Sequence, residues 1–279
     1  MNNLFVVVFL SLAIPALAQP KARNVRHEMT LLKNALTEHH VEPRKIDNAF
    51  SESLFEKIFD DLDPGRVVFT ASDIASLGHF RTQLDDEING GTTRFLDQLK
   101  ILYRSGLERS ERLITSTIAS LEWEKTENYE QEAEWVADED ELTDRHRQWL
   151  KFQVLDRLME VMGRDTIVTP DFFEKNIAQA KIYVEQQTLR PIRRLLKDAN
   201  VYDSEVSNAF LHAIATVFDP HSDFFSASQY DEFVAALSNK DYYFGFMLDE
   251  DENGNVVISA LAPGGSAWKS GALHVSDVL

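Results

Sequence analysis

The sequence contains no cysteine, and its basic residues are few compared with its acidic ones. Without cysteine the chain can form no disulfide, carries no thiol nucleophile and offers no thiolate to a metal ion. Its 28 Lys and Arg residues face 46 Asp and Glu residues, which gives a formal net charge of −18. Because nucleic-acid binding requires cationic side chains that neutralise phosphates, this balance argues against a nucleic-acid partner. Hydrophobic residues make up 44% of the chain, so a sizeable core is expected.

Long apolar runs are also rare, and the clearest one lies at the N-terminus, over Leu4–Ile14. It is too short for a membrane-spanning helix, which needs about 20 residues. Ala16 and Ala18 supply small side chains at the two positions that a signal peptidase reads. We therefore predict a signal peptide over residues 1–18, cleaved before Gln19. The mature chain is expected to be exported to the periplasm without a membrane span.

The stretch from residue 19 to residue 237 is predicted to be helical. Apolar residues recur there at intervals of three and four, with polar residues between them, and strand-like alternation does not occur before Tyr242. No fixed repeat period is visible, so an irregular helical bundle is favoured over a solenoid. The clearest periodic positions are Ile46, Ala49, Phe50, Leu54, Ile58 and Leu62; Phe95, Leu96, Leu99, Leu102, Tyr103 and Leu107; Leu150, Val154, Leu158 and Val161; and Leu189, Ile192, Leu195 and Leu196.

Two segments between these helices, Leu62–Asp73 and Phe218–Gln229, share one pattern. Each contains Asp-Pro, a four-residue gap, and then Phe, a hydroxyl residue, Ala and Ser. Because the residue before a proline is disfavoured in the α region, Asp-Pro predicts the end of a helix. The phenylalanine is expected to anchor the connection to the core. The hydroxyl residue predicts a capping box for the next helix, in the pairs Thr70 with Asp73 and Ser226 with Gln229.

Three motifs that resemble functional sites are better explained as structure. Ser226-Ala-Ser228 looks like a serine nucleophile motif, but neither a partner base nor oxyanion glycines accompany it, so a helix cap is favoured. Gly90-Gly91 is interpreted as a helix–helix turn, because the Lys-Ser/Thr of a phosphate loop does not follow. The acidic run Glu130–Glu141 lacks the spacing of a calcium loop and is predicted to be a surface link. The tryptophans Trp135 and Trp149 are expected to dock that link onto the bundle.

Histidine and aspartate occur together at two places that could be read as metal sites. Asp219, His221 and Asp223 have suitable ligand types, but they are predicted to share one turn, and no second ligand cluster is apparent. His39 and His40 lie at a predicted helix end, where histidine often caps carbonyl groups. We therefore predict no metal site and no cofactor.

The segment from Tyr242 onward changes from helical to strand-like character. An aromatic-rich strand precedes an acidic turn centred on Asn253-Gly254, which is typical of a hairpin. The β-branched run Val256–Ser259 predicts the second strand, and Pro263-Gly-Gly ends it. Ser266 is then expected to cap a short helix that ends at Gly271.

This order of elements resembles the first half of a PDZ peptide-binding module, over residues 238–279. Glycine between two apolar residues lets the main chain turn with φ > 0 and approach a ligand closely. The loop residues Tyr243, Phe244, Gly245 and Phe246 are therefore the predicted peptide-binding site. Their N–H groups would converge on the C-terminal carboxylate of another chain, and the following strand would pair with its extended tail.

Taken together, these motifs resemble the tail-specific proteases, also called C-terminal processing peptidases, over nearly the whole mature chain. The motifs that carry the resemblance are Leu62-Asp-Pro-Gly-Arg-Val-Val-Phe-Thr-Ala-Ser-Asp-Ile74, Leu84-Asp-Asp-Glu-Ile88, Trp135 with Glu141-Leu142, Trp149-Leu-Lys151, Phe218-Asp-Pro-His-Ser-Asp-Phe-Phe-Ser226, and Pro263-Gly-Gly-Ser-Ala-Trp-Lys-Ser-Gly271.

The resemblance implies a mainly α N-terminal domain followed by a partial, β-rich PDZ domain of an exported serine endopeptidase. Its substrates would be proteins with apolar C-terminal tails, and an adaptor protein is an expected partner. The catalytic serine and lysine of that family would lie beyond Leu279, so residues 1–279 alone are expected to be inactive. Two departures from the family pattern are the single glycine of the loop, Gly245, and Ser276, which stands where a glycine usually precedes the aspartate.

Two other functions fit the same sequence. One is a non-enzymatic periplasmic adapter built from a helical platform and a PDZ module. The other is a helical structural or docking protein in which the C-terminal hairpin is incidental.

Overall fold

The computed structural model describes residues 23–124, 126, 129, 134–162, 169–226, 229–231, 233–234, 244–251 and 255–279. The chain is mainly helical, as predicted, with a two-stranded antiparallel sheet near its C-terminal end. The elements are α1 (Val25–Asn34), continued by a π-helical turn (Ala35–His39), α2 (Asn48–Leu62), α3 (Ala71–Ser76), a 3₁₀ turn (Gly78–Phe80), α4 (Leu84–Gly90), α5 (Arg94–Ala119), α6 (Glu139–Met162), α7 (Pro170–Lys197), α8 (Ala199–Phe218), β1 (Phe246–Glu250), β2 (Val256–Leu261) and α9 (Ser266–Ser270).

The helices pack around two hydrophobic cores that share α5. The first core lies between α1, α2, α4, α8 and the N-terminal half of α5, and the second lies between the C-terminal half of α5, α6 and α7. Fully buried aromatic rings fill the first core, with Phe55, Phe59, Phe69, Phe95 and Phe218 among them. Within the described residues, no helix is both long and apolar enough to cross a membrane.

The helix ends follow the local sequence signals closely. Both Asp-Pro dipeptides stop a helix, because Asp63 and Asp219 are the residues directly after α2 and α8. At the start of α3, the Asp73 N–H donates to the Thr70 side chain at 3.1 Å, and the Thr70 N–H donates back to the Asp73 carboxylate at 2.9 Å. The predicted capping box is confirmed. Gly91, with φ of 66°, ends α4 and turns the chain towards α5, as predicted for Gly90-Gly91.

The loop between α2 and α3 is held by a buried carboxylate. Asp63 is 2% exposed and accepts hydrogen bonds from the backbone N–H groups of Val67, Val68 and Phe69, at 2.9, 2.8 and 2.9 Å. The hydrogen bonds to Val68 and Phe69 are buried, and the one to Val67 is partly buried, so the carboxylate supplies acceptors that water could not fully replace. Aspartate before proline thus ends α2 and also shapes the loop that follows.

Side chains of α5 and α6 bind the carbonyl groups of this loop. The Val67 carbonyl accepts from the Ser110 hydroxyl and from the His146 Nε2–H, both at 2.8 Å. The Val68 carbonyl accepts from the Arg109 guanidinium at 2.7 Å. Both faces of the loop are therefore hydrogen-bonded to the protein, which joins α2, α5 and α6 through one short connection.

Gly106 on α5 allows this loop to approach the helix. A Cβ atom at position 106 would lie 2.8 Å from the Val68 Cγ1 and 3.2 Å from the Val68 carbonyl oxygen. The first distance is well inside van der Waals contact, and the second involves backbone that the Asp63 hydrogen bonds hold in place. Glycine is therefore required here by packing and not by its backbone angles.

We expect Gly106→Ala to lower the free energy of unfolding by about 1–2 kcal/mol, because overpacking outweighs the better helix propensity of alanine. Gly90→Ala is the matched control, since Gly90 also lies in a helix but has open space around its Cα. This control should raise stability by about 0.5 kcal/mol. Chemical denaturation of both variants measures the difference, and an equal gain in the two would contradict the packing argument.

Other expectations need correction. Phe225, the expected anchor in the second Asp-Pro segment, is 41% exposed and stacks on Phe233 at 5.2 Å instead of entering the core, whereas Phe69 is fully buried. The difference follows from the surroundings, because Phe69 meets both Phe59 and Tyr103 in the first core. Phe224 instead packs partly against that core.

The acidic link is shorter than predicted, because α6 begins at Glu139 and takes in the end of the run. Acidic side chains are favourable in the first turn of a helix, where the macrodipole is positive. Trp135 does dock as predicted, with its ring 6.3 Å from that of Phe69 and beneath the guanidinium of Arg66. Trp149 packs against the second core. Residues 130–133 lie outside the described part of the chain.

Candidate functional site

The predicted peptide-binding loop leads directly into β1. Phe244 is 76% exposed, Gly245 is buried with φ of 83°, and Phe246 begins the strand. The positive φ is the conformation that the sequence predicted for the glycine. Tyr243 lies outside the described residues.

Gly245 is also required by a close backbone contact. A Cβ at this position would lie 3.0 Å from the Gly265 Cα and 3.2 Å from the Ser266 nitrogen. A Cβ on Gly265 would in turn lie 3.0 Å from the Gly245 Cα. Two glycines thus bring the loop against the N-terminal end of α9. Gly265, not Ser266, is the residue that precedes α9, so the predicted Ser266 cap is wrong, whereas Gly271 ends the helix as expected with φ of 64°.

The carbonyl groups of the loop are used within the fold. The Phe244 carbonyl accepts from the Ala267 N–H, and the Gly245 carbonyl accepts from the Ala262 N–H, both at 2.8 Å. The Gly245 N–H has no backbone acceptor among the residues that the structure describes. The Gly245–Ala262 bond crosses between the strands, and Phe246 lies opposite Leu261. The backbone N–H and C=O groups of successive residues in an antiparallel strand point to opposite edges. The Phe246 N–H is therefore placed towards the outer edge of β1.

The sheet edge beside this loop is apolar. In the described part of the chain, β1 pairs with β2 alone, so its other edge has no strand partner. Phe244 stacks on Phe246 with ring centroids 5.9 Å apart, and Met247, Leu248 and Trp268 are exposed nearby in β1 and α9. An unpaired edge that carries free N–H and C=O groups beside apolar side chains can bind an extended apolar peptide.

The hairpin follows the predicted order, with small differences in its bounds. β2 runs to Leu261 and is longer than predicted, and the register shifts between Met247 and Leu248. The predicted Asn253-Gly254 turn lies outside the described residues. Ser276 has φ of 74°, a left-handed conformation that glycine adopts most easily. This backbone angle explains why a glycine at position 276 would be suitable.

The two aspartates near the end of α8 bind different histidines. Asp219 accepts from His40 Nε2 at 3.1 Å and lies 3.2 Å from His221 Nδ1, whereas Asp223 pairs with His212 at 2.6 Å. Burial raises the pKa of Asp219, but hydrogen bonds from His221 and His40 outweigh it and hold the pKa below the usual value. No cluster of three His, Cys, Asp or Glu side chains suited to a metal is present in the described ranges.

His40 does not cap helix carbonyl groups, so that interpretation of the His39-His40 pair is wrong for His40. Its ring stands edge-on to Phe218 at 5.3 Å, and its Nε2 meets the Asp219 carboxylate. This bond joins the end of the first helical segment to the second Asp-Pro stop. No local pattern in the sequence indicates it, because the two residues are 179 positions apart.

Ser226 has the capping role that the sequence predicted. Its N–H donates to the Gln229 Oε1 at 2.9 Å, and the Gln229 N–H donates to the Ser226 hydroxyl at 3.4 Å. The hydroxyl oxygen thus accepts a hydrogen bond at a helix start, which confirms the second predicted capping box. Ser228 lies outside the described residues.

The chain is thus a mainly helical protein with a small β-hairpin module at its C-terminal end. Two Asp-Pro dipeptides end helices in the helical domain, and glycines bring the hairpin against the short helix α9. The family model described as the tail specific protease N-terminal domain matches residues 32–228. The chain therefore belongs to this family, and the resemblance predicted from its motifs is confirmed.

A curated relative extends the match beyond the helical domain. The tail-specific protease of Haemophilus influenzae is 24% identical over 269 residues, which cover 95% of this chain and 36% of the relative. The chain thus spans about a third of the length of that relative.

Proposed function

We propose that the chain is the N-terminal substrate-recognition and scaffold part of an exported serine endopeptidase that degrades or processes proteins from their C-terminal tails. The family match and the relative's name support a protease-related role. The helical domain would serve as the scaffold, and the segment from residue 244 would form part of a PDZ module. In this proposal the serine and lysine that perform hydrolysis lie outside residues 1–279, and the protein acts in the periplasm.

The observation that carries this proposal is the geometry of the loop at Gly245. Its carbonyl groups are bound inside the fold, its glycine has φ of 83°, and it opens onto the unpaired edge of β1. A terminal carboxylate would accept from the Gly245 and Phe246 N–H groups. The preceding residues of the substrate would pair with β1, and their apolar side chains would contact Phe244, Met247 and Trp268.

Substitution of Gly245 tests the assignment. Gly245→Val should weaken the binding of a labelled peptide with an apolar tail and a free carboxylate by at least about tenfold, or 1.4 kcal/mol. The reason is that a side chain there would collide with Gly265 and displace the loop. Fluorescence polarisation measures the change, and the same peptide with an amidated C-terminus should bind weakly to the unmodified protein.

Gly264→Val is the matched control for backbone strain. Gly264 has φ of 79°, close to that of Gly245, but a Cβ added there would meet no atoms within 4 Å beyond those of its chain neighbours. Peptide affinity should therefore stay near that of the unmodified protein. An unchanged titration curve for Gly245→Val would refute the loop as the binding site.

A further inference from the structure

An open groove lies in the helical domain, and no residue of the hairpin lines it. It has a volume of about 630 Å³ and is lined mainly by residues of α7 and α8, together with Leu62 and Tyr103. This volume lies within the range of about 300–1,000 Å³ that small ligands occupy in proteins. Nothing in the described elements fills it.

The floor of the groove is apolar. Leu195 comes from α7, whereas Val201, Val206 and Ala209 come from α8. Val201 is 43% exposed, although it is a β-branched apolar residue beside the first core. A ligand that covers apolar surface in a concave site removes that surface from water, and this burial favours binding.

The rim of the groove carries charges of both signs. Arg190 and Arg194 lie one turn apart on α7, so they project from the same face of the helix. Glu205 lies across the groove on α8. In the part of the chain that the structure describes, neither Arg194 nor Glu205 forms an ion pair or side-chain hydrogen bond, and both are exposed. The rim can therefore bind an anion on one side and a hydrogen-bond donor on the other.

We propose that this groove binds the apolar C-terminal end of a polypeptide. Arg194 would bind the terminal carboxylate, since a guanidinium group forms strong paired hydrogen bonds to a carboxylate. The last apolar side chain would lie on Val201 and Leu195, and Glu205 would accept from a backbone N–H of the tail. A fatty acid has a carboxylate and an apolar chain but no donor for Glu205, so the rim favours a peptide.

This site is separate from the Gly245 loop, and the proposal stands whether or not that loop binds peptide. It predicts a second tail-binding position on the scaffold. A tail held there would be bound by the helices α7 and α8, not by pairing with a strand.

The test uses a photo-crosslinking peptide that ends in Leu-Val with a free carboxylate, added to the full chain. Mass spectrometry should find adducts on α7 and α8, and Gly245→Val should leave these adducts unchanged. Arg194→Glu should weaken binding at this site by about tenfold, because it replaces a carboxylate-binding group with a repelling one. Lys197→Glu is the matched control, since it makes the same charge change on α7 outside the groove and should have little effect.

The outcomes separate the two sites. Adducts confined to the segment around residues 244–268, or lost entirely in Gly245→Val, would overturn the groove proposal and leave the loop proposal standing. Equal losses in Arg194→Glu and Lys197→Glu would show a general charge effect and would also overturn it. Binding of oleate at the groove without binding of the peptide would identify a lipid site instead. Loss of the adducts in Arg194→Glu alone is the supporting result.

Discussion

Replacing Asp63 with alanine is expected to lower the free energy of unfolding by about 4 kcal/mol, because three backbone amides, two of them buried, would lose their acceptor. Each unsatisfied buried donor costs about 1–3 kcal/mol. The amides of Val67, Val68 and Phe69 all bind this one carboxylate. The loop that they form also provides the carbonyl groups bound by α5 and α6. Losing its shape would therefore weaken the contact between three helices.

A comparison with Asp63→Asn separates the hydrogen bonds from the charge. Burial raises the pKa of Asp63, although the three amides and Arg145 favour the ionised form. Asparagine keeps one acceptor oxygen and removes the desolvated charge, so its cost should be about half that of alanine. Asp86→Ala, at an exposed position on α4, is the control and should change stability by less than about 0.5 kcal/mol. Equal losses in Asp63→Ala and Asp86→Ala, measured by urea denaturation, would disprove the role of the buried carboxylate.

The second large effect should appear as a dependence of stability on pH, through His146. This side chain is fully buried on α6, and its Nε2–H donates to the Val67 carbonyl. Burial, helped by the charge of Arg109, lowers its pKa from 6.5 to about 4, although the bond to Val67 opposes the shift. The folded protein therefore keeps His146 neutral under conditions in which the unfolded chain binds a proton.

The sign follows from this difference in proton binding. Below pH 6.5 the unfolded state gains a proton that the folded state excludes, so stability falls as the pH falls and levels off near pH 4. The full effect of a shift of this size is about 3 kcal/mol. His146→Gln removes the titrating group and keeps a donor for the Val67 carbonyl. The change in the free energy of unfolding between pH 6.5 and pH 4 should therefore be about 3 kcal/mol smaller in this variant than in the unmodified protein.

The quantity to measure is the difference between the unfolding free energies of the two proteins across this pH range. Other groups contribute to the pH dependence as well, and the difference removes their common contribution. His27→Gln, the same substitution at an exposed position on α1, is the matched control. Parallel profiles for the unmodified protein and His146→Gln would show that the histidine is not excluded from protonation in the folded state.

Local features of this fold could be predicted from sequence, whereas contacts between distant residues could not. The capping boxes at Thr70 and Ser226 were correct because their hydrogen bonds join residues three positions apart. The positive φ of Gly245 was correct because a glycine between two apolar residues indicates a turn of this kind. In each case the chemical cause is contained in a few consecutive residues.

The failures depend on packing between elements. The repeat of the Asp-Pro pattern predicted equal burial for Phe69 and Phe225, but only Phe69 meets the aromatic core. His40 binds Asp219, which is 179 positions away in the sequence. Glycine is required at position 106 because Val68 packs closely against it. The groove was missed for the same reason, because Arg190 and Arg194 look like ordinary surface residues until α8 is placed beside them.

The sharing of α5 between the two cores has a consequence for how the domain melts. At 26 residues this helix is about 39 Å long, and it contributes one end to each hydrophobic cluster. If one core unfolded alone, half of α5 would lose its packing partners. The boundary between folded and unfolded chain would then lie inside one continuous helix, which is unfavourable. Calorimetry of the helical domain should therefore show a single heat-absorption peak, with equal van't Hoff and calorimetric enthalpies.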